Sequence, residues 1–167
     1  MSAAAKPGLI RGIVFDLDGT LLDASADLHT AINRVRGELG LDPLTLDHVR
    51  RSIGDGSRVL VQRCLPGDVE VEAFEAAHRA FVTHYEAVCT NETKPYPGMV
   101  EWVTDLFDRG VPVAVCTNKP QRMTELLLEH VGLLAGMRGV IGGDTLATRK
   151  PDPAGLLALA ERLRVAI

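Results

Sequence analysis

Cysteine is scarce in this 167-residue chain: Cys64, Cys89 and Cys116 are odd in number, far apart and unaccompanied by histidine at metal-ligand spacing. That excludes a disulfide framework or a cysteine–histidine zinc site and leaves reduced thiols used for packing, Cys116 within a strand among them. An excess of cationic side chains is also missing. The formal charge is −4 and the lysines and arginines are scattered, so there is no basic face for nucleic acid, and an anionic substrate must be held locally. No apolar run approaches the ~18 residues of a membrane span, and Met1–Gly8 has no apolar core of a signal peptide. These absences make the cytoplasm the expected compartment. Internal repeats and low-complexity segments are lacking too.

What is present is ordinary globular material, 46% hydrophobic and 24% charged, enough for one core with a small accessory domain. The informative stretch is Ile13-Val14-Phe15-Asp16-Leu17-Asp18-Gly19-Thr20. An apolar run from Leu9 to Phe15, broken by Arg11 and Gly12, suits a strand covered on both faces. Such a strand carries Asp16 to its carboxyl end, where open α/β sheets bind ligands. Gly19 permits a sharp turn that returns Asp18 beside Asp16. Two carboxylates so close repel unless a cation neutralises them. Mg²⁺, a hard ion that prefers oxygen, suits the pair, with Asp16 as a metal-bound nucleophile and Asp18 as proton donor and acceptor.

The following stretch reads as helix throughout. Leu28, Ile32, Val35 and Leu39 recur at helical spacing before Gly40. A second helix starts at Thr45 and ends at Gly54-Asp55-Gly56, and a third runs from Ser57 as N-cap to Cys64. A fourth has Phe74, Ala77, Phe81, Tyr85 and Val88 on one face. So much helix between one strand and the next exceeds the needs of a crossover and predicts an inserted helical subdomain. Lys94-Pro95-Tyr96-Pro97-Gly98 is the expected linker back. A helix with Val103, Leu106 and Phe107 then precedes the strand Val111–Cys116, which delivers Thr117 to its carboxyl end. Pro120 opens a helix with Met123, Leu126, Leu127 and Val131 inward; Gly139-Val140-Ile141 forms a third strand, and Gly142-Gly143-Asp144 turns after it. The last helix follows Lys150-Pro151-Asp152-Pro153 and contains Leu156, Leu157, Leu159, Ala160 and Leu163.

Strand, helix, strand, helix, strand forms right-handed parallel crossovers, so Asp16, Thr117 and the loop before Lys150 are expected at one sheet edge. There a hydroxyl, the Asn118 main-chain amide and an ammonium could surround a phosphoryl group. Each part also has a plainer reading. Thr117-Asn118-Lys119-Pro120 could cap a helix, Gly54–Gly56 could be an interhelical turn, and Lys150 and Arg58 could be solvated.

Phe15-Asp16-Leu17-Asp18-Gly19-Thr20-Leu21 resembles the first signature of the haloacid dehalogenase superfamily, in its phosphatase branch. Val113–Asn118 is similar to the second signature and Lys150-Pro151-Asp152-Pro153 to the third. Gly54–Ser57, Pro97-Gly98, Thr117–Pro120 and Gly142–Asp144 resemble stretches of the phosphoglycolate phosphatases. The resemblance implies a doubly wound, Rossmann-like parallel α/β core from residues 1–22 and 97–167, with an inserted α-helical cap over 23–96. It implies an Mg²⁺-dependent phosphomonoester hydrolase acting on a small phosphorylated metabolite such as 2-phosphoglycolate. Asp16, Asp18, Thr117 and Lys150 would be catalytic. Gly19, Thr20, Asn118, Gly54, Gly56 and Arg58 would bind substrate, and Asp16 with the Asp18 main-chain carbonyl would hold the metal. A sugar phosphomutase shares the same first site. The fourth signature, a strand followed by Gly-Asp, is not found before Ile167, and the expectation is a piece of an enzyme of about 220 residues. Without that strand the one ending at Asp16 becomes an edge, open to homodimer formation. A catalytically silent phosphate-binding domain is the reading from another class.

Overall fold

The computed structural model describes residues 10–165. Leu9, part of the first apolar run, and the Met1–Gly8 segment lie outside them. In chain order the elements are β1 (Ile13–Phe15), β2 (Leu22–Asp23), α1 (Ser25–Glu38), α2 (Leu46–Ser52), α3 (Ser57–Cys64) and α4 (Val71–Glu86). Then follow β3 (Lys94–Pro95), α5 (Met99–Asp108), β4 (Val113–Cys116), α6 (Gln121–His130), β5 (Gly139–Ile141) and α7 (Ala154–Leu163).

The described sheet is parallel in the order β1-β4-β5, with Ile13 opposite Val113 and Cys116 opposite Ile141. In β4, Val113 and Val115 join a large core with α5 and α6, whereas Ala114 and Cys116 face a smaller one with Leu159 and Leu163 of α7. Period-two alternation of an all-apolar strand thus buries both faces, as expected of a doubly wound α/β sheet. Burial pushes the Cys116 thiol pKa up, in keeping with a packing role.

Helices α1–α4 lie between β2 and β3, which pair antiparallel, Leu22 with Pro95 and Asp23 with Lys94. The expected linker is therefore half of a short ribbon. The large core runs without a break from β1 and β4 into α1, α3 and α4 through Leu28, Leu60, Phe81 and Tyr85. Asp27 ties the returning chain to α1: its buried carboxylate accepts from the Glu92 and Thr93 main-chain amides and the Thr93 hydroxyl at 2.8–3.1 Å.

Three local expectations are corrected. The first ladder covers only Ile13–Phe15, because β4 supplies partners there alone, and Ile10 is exposed. Gly56, with φ of 92°, caps α3 in place of Ser57, whose hydroxyl instead meets His78 Nε2 at 3.0 Å. Leu39, Leu156 and Leu157 are exposed; α7 buries Leu159, Ala160 and Leu163 against the sheet. α2 starts one residue after the expected Thr45, which caps it by accepting from the His48 amide at 3.3 Å.

Replacing Asp27 by Asn turns one acceptor into an NH₂ facing the same donors and removes their charge assistance. Asp27→Asn should lower the unfolding free energy by about 2–3 kcal/mol, read as a lower urea midpoint at unchanged slope. A second expectation concerns acid. Burial, with Arg58 adding and Glu75 opposing, holds the His78 pKa below its usual value. The stability this represents is full above the unfolded value of ~6.5 and is lost as pH falls toward the lower folded value. Between about pH 7.5 and about pH 5.5 the wild-type Tm should fall further than that of His78→Gln.

Candidate active site

β1 ends in Asp16, whose Oδ1 accepts the Leu17 amide at 2.7 Å. The chain then turns through Gly19 at φ of 78°, and the Leu17 carbonyl collects the amides of Thr20, Leu21 and Leu22. A residue with a side chain is strained at that φ, so glycine keeps the turn tight and Asp18 close to the strand end. β4 ends in buried Thr117, whose amide donates to the Ile141 carbonyl at 3.0 Å and whose Oγ1 accepts the Lys119 amide at 3.2 Å.

The loop after β5 supports the next turn from below. A Cβ at Gly143 would overlap the Asn118 carbonyl, and one at Gly142 would meet the Gln121 backbone. Gly143 donates to the Lys119 carbonyl at 2.8 Å, and Asp144 Oδ1 accepts the Gln121 amide at 2.7 Å, capping α6 from another loop. Gly142-Gly143-Asp144 is therefore a close-packed base for residues 118–121.

Lys150, the residue before a cis proline, reaches Asp16 Oδ2 at 2.8 Å. Lys119 donates to both oxygens of Asp18 at 3.0 and 3.1 Å, with its side chain 3% exposed, and its ammonium lies 4.6 Å from the centre of the Tyr85 ring on α4. Burial alone would depress the Lys119 pKa, but Asp18 and Tyr85 outweigh it and hold it above the usual range. Burial raises the Tyr85 phenol, with Lys119 opposing.

A narrow cavity of about 40 Å³ opens between the sheet edge and the helices. Asp16, Asp18, Thr117, Asn118 and Lys119 form its polar side, and Gly54, Gly56 and Ser57 come from the α2–α3 turn. Leu28, Leu60, Phe81 and Tyr85 make the opposite wall apolar. Asp16, Asp18, Thr117, Asn118, Gly54 and Gly56 thus share one space, with Lys150 in contact through Asp16. Gly19 and Thr20 are exposed outside it, their amides taken by the Leu22 and Leu17 carbonyls. Arg58 also stands apart, because Glu75 pairs with its guanidinium and Phe74 lies beneath it at 5.2 Å.

Lys119 and Tyr85 were not legible as site residues. Lys119 occupies what could be a capping sequence, and Tyr85 belongs to the apolar face of α4; only their burial against Asp18 distinguishes them. As for a metal, Asp16 and Asp18 offer hard oxygens, and no cluster of three or more His, Cys, Asp or Glu occurs among the described residues. The Asp16 carboxylate and the Asp18 main-chain carbonyl are oxygen donors of the kind a hard divalent cation takes, the rest of its shell coming from water and substrate.

The family model described as haloacid dehalogenase-like hydrolase matches residues 13–166. A phosphoglycolate phosphatase of Agrobacterium fabrum is 37% identical over 89% of this chain and 65% of its own length. One from Cereibacter sphaeroides is 40% identical over 91% and 71%, and phosphoglycolate phosphatase 1 of Pseudomonas aeruginosa is 41% identical over 93% and 60%. The chain therefore spans about two thirds of the length of these curated relatives. A crystal structure described as a predicted phosphoglycolate phosphatase from Haemophilus somnus 129pt superposes with a TM-score of 0.88 at 29% identity, over 93% of this chain and 72% of that one.

Removing one partner of the buried Lys119–Asp18 pair strands the other. Lys119→Met should cost about 3–5 kcal/mol of stability. Adding Asp18→Asn should restore much of the loss, so that a double-mutant cycle by urea denaturation returns a coupling of at least about 1 kcal/mol.

Proposed function

Because the chain belongs to the haloacid dehalogenase-like hydrolase family, we propose that it is a phosphomonoester hydrolase acting on a small phosphorylated metabolite, 2-phosphoglycolate first among them. The observation that carries this reading is the contact of Lys150 with Asp16 at the end of β1, with Thr117 and Asn118 lining the same cavity. The curated relatives support the substrate.

Asp16 attacks phosphorus to form an aspartyl phosphate as the bond to the leaving oxygen breaks. Lys150 beside it offsets the charge of the nucleophile and of the phosphoryl group, and Thr117 with the Asn118 amide donates to phosphoryl oxygens. Asp18, oriented by Lys119, serves as the general acid that protonates the leaving oxygen. It then accepts a proton from the water that releases inorganic phosphate. Mg²⁺ would be held by Asp16 and the Asp18 main-chain carbonyl, and when bound it neutralises charge on the transferring group.

In this reading residues 1–22 and 97–167 are the catalytic core, and 23–96 form a cap that closes over the cavity and excludes water. The β2–β3 ribbon is the natural place for such a motion, since it joins the two parts by only two residues on each strand. No helix among the described residues is long and apolar enough to cross a membrane.

Colorimetric phosphate release from 2-phosphoglycolate tests the proposal. Activity should require Mg²⁺, vanish with a chelator and return on adding the ion. Asp16→Asn should lower kcat at least about 10³-fold with little change in Tm, as expected when a nucleophile is lost; activity indifferent to that substitution would refute it.

A further inference from the structure

We propose that the Asn118 side chain is a positioning residue that fastens two separate loops, the α2–α3 turn and the Lys150 loop, to the rim where Asp16 stands. Its amide nitrogen donates to the Gly54 carbonyl at 3.1 Å and to the Lys150 carbonyl at 3.2 Å. One NH₂ group thus holds a segment 64 residues upstream and another 32 residues downstream. Among the described residues, no other hydrogen bond links 53–57 to 116–121 or to 148–152.

The residue is well placed to act as a fixed post. Its own backbone cannot shift toward the β5 loop, because Gly143 lies against its carbonyl. On the other side Gly56 rests on that same carbonyl, where an added Cβ would stand 3.1 Å away. Gly54 and Gly56, at φ of 126° and 92°, let the turn present its backbone to Asn118 instead of a side chain.

The unused end of the amide shows which end matters. Asn118 is 9% exposed, and its Oδ1 is buried with no hydrogen-bond partner among the described residues. An orphaned acceptor is costly, so an amide there is explained by its donors. An aspartate would keep the orphan and turn a carboxylate toward two carbonyls. Lys150, meanwhile, is held at both ends: its carbonyl by Asn118 and its ammonium by Asp16. Seating the α2–α3 turn and fixing the lysine are therefore coupled through one nitrogen, and the lysine is fully placed when the turn is down.

The catalytic consequence rests on the phosphatase reading; the structural one does not. Amide hydrogen exchange by mass spectrometry on the full chain separates them, using Asn118→Ala and, should that variant fold poorly, Asn118→Ser, which keeps one donor. Exchange should rise about five- to tenfold, the equivalent of one lost hydrogen bond at each loop, in peptides covering both 52–60 and 147–153. Peptides from α1 and β5 should be unchanged. In the phosphate-release assay kcat should fall about tenfold or more while KM changes less, since Lys150 acts on the transferring group. Faster exchange at 116–121 alone, at only one of the two loops, or at neither overturns the coupling, even if the wild-type chain is an active phosphatase. A wild-type chain inert toward 2-phosphoglycolate, with both loops loosened by the substitution, overturns the proposed function and leaves the coupling intact.

Discussion

Two carboxylates one residue apart at the end of a buried strand form a concentration of negative charge that the fold must answer. It does so with two ammonium groups brought from distant loops: Lys150 on Asp16 and Lys119 on Asp18. The two pairs differ in kind. The first is partly open to solvent and keeps the character of a working site, whereas the second is buried beneath Tyr85 and behaves as part of the core. A buried pair adds little net stability over apolar packing but is severe to break. The second pair thus holds Asp18 in one orientation beside Asp16.

Everything around the rim follows from the need to bring those loops to one place. The parallel order β1-β4-β5 sets the ends of all three strands at one edge. Two glycines after β5 let the next loop lie flat against residues 118–121, with Asp144 capping α6 in place of a local side chain. The α2–α3 turn descends on the same rim because Gly54 and Gly56 adopt backbone conformations that other residues resist. Asp27, bonded to the returning chain at Glu92 and Thr93, closes the excursion at its far end.

Helices α1–α4 do not form a separately cored body here. Their apolar faces and those of the sheet belong to one continuous cluster. Moving these helices away from the sheet would therefore separate Phe81, Leu60 and Leu28 from the sheet side of the cavity, exposing the apolar wall to water. That cost favours the closed arrangement and makes a small number of polar ties, Asn118 to Gly54 among them, enough to register it.

Much of this was present in residue order alone. Apolar strands ending in Asp16 and Thr117, helical periodicity from Leu28 to Val88, and glycine turns at 19, 54–56 and 142–143 depend on neighbours in the chain, so local pattern specifies them. Strand limits, the exposure of Leu156 and Leu157, and Gly56 rather than Ser57 at the α3 cap depend on what packs nearby, and the pattern could not supply them. The same holds for the site. Asp16, Asp18, Thr117 and Lys150 are marked by their positions at element ends. Lys119 and Tyr85 come to the site, and Arg58 pairs with Glu75, only through contacts between segments far apart in sequence. By itself the sequence determined which groups could do phosphoryl chemistry; the tertiary structure decided which of them meet, because burial and the pairing of charges are properties of the packed chain.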